Sequence, residues 1–290
     1  MKKAFLFLLL TIAFVAYSQQ PVSIHLTEKD GLPDNEFYNI LEDSKGYIWL
    51  AADKGLFRFD GTTYRKFQHT EQIGLSVFQL HEDINGSIWY TNLSNQVFYI
   101  KDEKITLFNN YSSEFKGSLP NLRLANNLLI LSFREKIILI NTETKKIVFK
   151  ENNIYDESNL NLAPTIDKNS IYYGVSSDLV NLNTLNFQKK VTPFISKDKR
   201  FLQSSISNIL GNNLVFFLSE EKGLSFYTIN TKLNSKIKKL KDNFSTTRIV
   251  SAKVIDNKIW YGTKNGVYVC EVEKDSLVIK RRLFSNQFVT

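Results

Sequence analysis

Apolar and polar positions along this chain alternate in short runs, and no repeat carries a helical period. The stretch Phe37–Phe67 shows the unit, with strand-like runs at Phe37–Glu42, Tyr47–Ala52, Leu56–Phe59 and Thr63–Phe67. The gaps hold Asp43-Ser44-Lys45-Gly46, Asp53-Lys54-Gly55 and Asp60-Gly61. Gly and Asx residues accept the left-handed backbone of tight hairpins, so these gaps predict turns and the unit a four-stranded antiparallel meander. The second run is apolar on both faces, as a strand must be when other protein covers it from above and below. The meander is therefore one layer of a stack.

The pattern recurs. Aligned on the second strand, Trp49 is followed by Trp89, Ile130, Tyr172, Phe216 and Trp260, at spacings of 40, 41, 42, 44 and 44 residues. Each has an Asn/Asp/Gly or Lys-containing turn before it and a third apolar run after it. Four strands per period of about 40 residues is the signature of an all-β propeller. Helical and leucine-rich solenoids are excluded by the missing helical period. The spacing predicts blades at about 37–67, 77–108, 122–150, 164–191, 204–240 and 249–284, with longer loops at Asn109–Pro120 and Glu151–Asn161. Residues 22–27 read as an orphan outer strand, and Phe288-Val289-Thr290 aligns with the start of a first strand, Phe37-Tyr38-Asn39. Together they predict a seven-bladed propeller in which six blades are visible and the last, closing blade is incomplete. The alternative is a six-bladed ring with one extra edge strand.

Composition adds a compartment. The 290 residues are 43% hydrophobic and 13% aromatic, enough for a large core and too apolar for disorder. Residues 1–18 pair Lys2 and Lys3 with a short apolar run ending in Ala16-Tyr17-Ser18, which reads as a secretory signal peptide leaving a propeller over 19–290. The apolar run falls short of the roughly 20 residues of a spanning helix. The chain is thus expected to be exported to the periplasm. Cys270 lies in an apolar run and reads as a small buried residue. The net charge of +8 is spread out, densest at Lys236, Lys238, Lys239 and Lys241, where interleaved Ile and Leu suggest the solvated face of an outer strand rather than an anionic-ligand patch, and nucleic acid is not an expected partner.

The run Gly31–Gly61, GLPDNEFYNILEDSKGYIWLAADKGLFRFDG, resembles the two-component regulator propeller repeat of periplasmic sensor regions in Bacteroidetes-type receptors, flavobacterial sensor histidine kinases among them. The segment Val77–Ile100 matches more loosely, and the sixth unit recovers IWYGTKNGVYV. The resemblance implies the sensing part of a signal-transduction receptor. Its membrane span and its histidine-kinase or DNA-binding output would lie in parts beyond this chain.

The signature residues have structural roles. Asp43 and Asp83 should accept bonds from turn amides, while Trp49, Trp89 and Trp260 should fill the space between blades. His25, His69 and His81 lie on different elements without metal-site spacing, and Asp83-Ile84-Asn85-Gly86 lacks the later ligands of a calcium loop. No nucleophile elbow or phosphate-binding loop is present, so neither catalytic residues, metal nor cofactor is expected. Ligand contacts should fall in loops at the ends of the propeller, where Tyr111, Phe115, Arg134 and Tyr155 are candidates for sugar stacking or anion contacts. The expected partners are an extracellular ligand, a glycan among the candidates, and a second copy of the chain. Two other readings stay open: a polysaccharide-active enzyme on a propeller scaffold, marked by carboxylates at the channel mouth, and a free-standing binding or scaffolding module.

Overall fold

A computed structural model describes residues 24–116, 118–133, 136–152, 164–175, 178–193, 207–220, 223–232, 236–244 and 248–285. The described strands form six four-stranded antiparallel sheets, each built from four consecutive strands. Blade one holds β1 (Phe37–Glu42), β2 (Ile48–Ala52), β3 (Gly55–Phe59) and β4 (Tyr64–Phe67), and blade two holds β5 (Val77–Glu82), β6 (Ile88–Asn92), β7 (Gln96–Lys101) and β8 (Lys104–Asn110). Blade three follows with β9 (Asn121–Ala125), β10 (Leu128–Phe133), β11 (Lys136–Asn141) and β12 (Ile147–Asn152). Blade four is β13 (Thr165–Asp167), β14 (Ser170–Val175), β15 (Asp178–Asn183) and β16 (Lys189–Pro193). Blade five is β17 (Ser207–Leu210), β18 (Asn213–Glu220), β19 (Gly223–Asn230) and β20 (Lys238–Lys239); blade six is β21 (Ile249–Ile255), β22 (Lys258–Thr263), β23 (Gly266–Glu273) and β24 (Ser276–Leu283). The one α-helix among the described residues is the short α1, Ser112–Phe115.

The first strand of each blade lies innermost, since β1 meets β5, β5 meets β9, β13 meets β17 and β17 meets β21. These strands form the wall of a propeller ring. Second and third strands are buried on both faces, as their unbroken apolar runs require. Each blade shares one core with the blade that follows it in the sequence. Trp49, Leu56 and Phe67 of blade one pack with Tyr90 and Phe98 of blade two. Trp89 and Phe108 meet Leu129 and Ile138 of blade three. Further round, Phe217 and Phe226 of blade five surround Tyr261 and Cys270 of blade six. Burial pushes the Cys270 thiol up to about 12, so it is an inert apolar packing group, as its sequence context suggests.

Blade one also has a small cluster of its own, Leu50, Ala52 and Phe57 with Phe37, Ile48 and Tyr64, on the face turned away from blade two. Among the described residues no shared cluster joins blade six to blade one. Of the strand expected at 22–27, residues 24–27 enter no ladder, and residues 22 and 23 lie outside the described residues. An extended segment becomes a strand only against a partner edge, and no described strand runs beside it. A seventh blade is not among the described residues.

Candidate ligand-binding site

The end of blade one where β1 begins and β2 turns into β3 is organised by Asp34. This carboxylate is buried, accepting the Asn35 amide at 2.8 Å, the Glu36 amide at 3.4 Å and the Lys54 amide at 2.7 Å. Desolvation alone would raise its pKa, but these amides and the Lys54 ammonium hold it below the usual carboxylate value. The bonds clasp the loop after Gly31 to the β2–β3 turn. Lys54 Nζ reaches on to Glu28 at 2.8 Å. Glu28 begins a 3-10 turn, Glu28–Asp30, that ends on Gly31 at φ 94, a left-handed position suited to glycine. Thr27 donates from its amide and hydroxyl to the Asp30 carboxylate at 2.9 and 2.7 Å.

Between this turn and the clasp lies an open recess of about 500 Å³, lined by His25, Leu26, Glu28, Leu32, Asp34 and Phe37 among others. At the same end of the inner strands Tyr38, partly exposed, stacks on Phe78 with ring centroids 4.4 Å apart. Tyr38 and Ser76 hydroxyls both donate to Asp53, at 3.4 and 2.6 Å. Leu26, Leu32 and Phe37 give the recess an apolar part, while the Tyr38 ring stands outside its lining and the Asp34 carboxylate is taken up by the clasp.

The sequence-based candidates fare differently. Tyr111 and Phe115 are buried in the core shared by blades two and three, where α1 tucks them under β8 and β10. They pack instead of facing solvent, correcting the expectation that they project from a loop. The reason is local: Ser112–Phe115 closes into a helical turn that points both rings inward. Arg134 and Tyr155 lie outside the described residues. The three histidines remain apart: His25 lines the recess, His69 packs against Phe98, and His81 meets Arg123 on the inner wall. Asp34 is visible in the GLPDN run but carries no signal of burial by itself, and the His81–Arg123 contact joins residues 42 apart in sequence.

Asp43 and Asp83 do accept turn amides, from Lys45 and Tyr47 and from Asn85 and Ser87 respectively. Each has a further role that the sequence did not announce. The second oxygen of Asp43 accepts the Trp49 indole N–H at 2.7 Å, and that of Asp83 the Trp89 indole at 2.8 Å.

A family profile described as two component regulator propeller matches residues 31–54, the stretch from the loop before Asp34 to the Lys54 turn. Among curated protein sequences none matches the chain. Many solved structures share the fold. An extracellular domain of a hybrid two component system from B. thetaiotaomicron superposes with a TM-score of 0.62 at 18% identity, over 93% of this chain and 36% of that one. Another from the same organism gives 0.59 at 19% identity, over 92% and 38%. A streptogramin B lyase gives 0.61 at 14% identity, over 87% and 84%. The chain thus spans most of the lyase but well under half of those extracellular domains. Six stacked four-stranded blades make this chain a β-propeller, and residues 31–54 of its first blade match the two component regulator propeller profile.

Proposed function

We propose that the chain is the exported sensing propeller of a two-component signal-transduction receptor, with its output region outside this chain. The observation that supports this most is the profile match at 31–54, because those residues build the Asp34–Lys54 clasp and one side of the recess. The same segment that carries the family likeness therefore shapes one side of the open recess proposed for a ligand. Binding there would favour one placement of the propeller over another and so bias an output region across the membrane; a ligand can shift that balance only by its differential affinity for the two placements. The lyases share the propeller fold at 14–16% identity, and no catalytic group is carried over from them.

The test is genetic. A host strain deleted for this chain is compared with its parent across growth on different polysaccharides and sugar acids. The reading predicts a set of transcripts that responds in the parent and is flat in the deletion. Identical transcriptomes under every condition, or a chain retained in the cytoplasm on fractionation, would overturn it.

A further inference from the structure

We propose that Arg123, His81 and Gln79 form a carboxylate-binding site on the inner wall of the propeller, where blades two and three meet. The proposal names a ligand class for the sensing reading and to that extent rests on it.

Three side chains from two inner strands converge there. Arg123, in the middle of β9, turns its guanidinium towards β5. Its Nη1 donates to the Leu122 carbonyl at 2.8 Å, lies 3.1 Å from His81 Nε2, and reaches Gln79 Oε1 at 3.5 Å. Every one of these contacts falls on Nη1. None of them uses Nη2 or Nε, the edge of the fork that grips a carboxylate with two parallel bonds.

The partners are also of an unusual kind for a cation so enclosed. Elsewhere the basic side chains near blade contacts meet carboxylates: Arg58 and Arg65 share Glu103, Lys136 and Lys150 share Glu114, and Lys189 meets Glu151. Arg123 has no carboxylate within ion-pair distance among the described residues. His81, neutral or positive by its chemistry, cannot supply the missing negative charge. Burial, and then the Arg123 charge, hold its pKa down to about 3, so the ring is neutral and its Nε2 accepts from the guanidinium. The burial that penalises His81 acts on the guanidinium too, lowering its pKa. A protein cation taken out of water without a counter-charge is unfavourable, and a bound anion relieves that cost. Arg123, His81 and Gln79 are only partly buried, so they are not sealed from solvent.

The backbone is shaped to bring Gln79 in. The β5–β6 ladder shifts register between Phe78 and His81, and Gln79 sits at φ 60, a left-handed position that a non-glycine residue adopts at a cost. One cation with two neutral hydrogen-bonding neighbours suits a planar monoanion. A phosphate dianion would call for a second positive charge.

The full chain is titrated calorimetrically and melted with sodium acetate, sodium galacturonate, the neutral sugar galactose and inorganic phosphate, at one ionic strength. The expected result is binding of at least one of the two carboxylates with a rise in melting temperature, and no response to galactose. In Arg123→Met that affinity falls about tenfold or more, as loss of a charge-assisted bidentate pair implies. The unliganded variant melts no lower than wild type, because it loses an unpaired charge. Arg123→Lys keeps the charge without the fork and should bind at an intermediate strength, which decides the matter should Arg123→Met fail to fold. No response to either carboxylate, phosphate bound more tightly than both, or equal carboxylate affinity in wild type and Arg123→Lys would each overturn the proposal. Binding by the isolated chain and transcription in the host are read separately, so the site can fail while the sensing role stands, and the reverse.

Discussion

The hairpins that lead into Trp49 and into Trp260 occupy the same place in blades one and six, yet they are closed by different chemistry. In blade one a three-residue loop, Ser44-Lys45-Gly46, separates Asp43 from Tyr47, with Gly46 at φ 84. Trp49 pairs with Leu41 across the ladder, and Asp43, two residues on, caps the loop amides and the indole together. In blade six Trp260 pairs with Lys253, and two residues on stands Ile255, followed by the two-residue turn Asp256-Asn257 at φ 50 and 57. Ile255 has no acceptor to offer, and the Trp260 indole N–H is buried without a partner among the described residues. Blade two follows blade one, through Asp83 and Trp89. Blades three to five have two-residue turns like blade six, with Asn126, Lys168 and Gly211 at positive φ. The ring therefore has two blades whose leading hairpin is tied by a carboxylate and four with two-residue turns that no carboxylate caps; in blades three and five the turn carbonyls of Asn127 and Asn212 accept the Thr142 and Thr231 hydroxyls. The profile match falls on the tied kind.

Substitutions can break or sharpen this contrast. The largest effect is expected for Asp43→Ala, which strands a buried indole donor and two loop amides. It should cost about 2–4 kcal/mol in urea unfolding, whereas Ile255→Ala, at a side chain 40% exposed, should cost under about 1 kcal/mol. Next come the rings themselves. Trp49→Phe deletes a charge-assisted bond and should cost about 2 kcal/mol more than Trp260→Phe, which removes an unpaired donor. Turn glycines rank third. Gly46→Ala should lose about 1 kcal/mol although nothing crowds the position, because its φ is left-handed; Lys168→Gly, at φ 54 in blade four, should gain a similar amount.

The smallest effect is the pH dependence of the Asp34 clasp. Its folded pKa lies below the ordinary 3.8, so the carboxylate stabilises the fold above that value. The contribution is lost as pH falls through the folded pKa. The difference between wild type and Asp34→Asn, about 1 kcal/mol or less, should therefore be constant near neutrality and shrink below pH 4 in acid-unfolding curves.

Six blades of four strands were legible because a strand buried on both faces leaves an unbroken apolar run, and the turns between such runs need Gly, Asn or Asp. The amide-capping role of Asp43 and Asp83 was legible for the same reason, being a contact within five residues. The indole bonds were not, since an Asp six residues before a Trp announces nothing until the loop length sets their register. Ligand-facing residues were the least legible. Aromatic residues in a presumed loop, Tyr111 and Phe115, proved to be core because a single helical turn redirects them. The wall cluster of Gln79, His81 and Arg123 joins two blades, and nothing local in either strand marks it.

The three tryptophans offer the most direct check of the division between tied and untied blades, because each contributes one indole N–H resonance. A proton–nitrogen correlation spectrum of the folded chain, assigned with Trp→Phe variants, should place the Trp49 and Trp89 indoles downfield, as hydrogen-bonded donors, and Trp260 upfield of both. Asp43→Asn should move the Trp49 peak and leave Trp260 in place. Three indoles with the same shift, or a Trp49 peak indifferent to the loss of the Asp43 charge, would contradict the account.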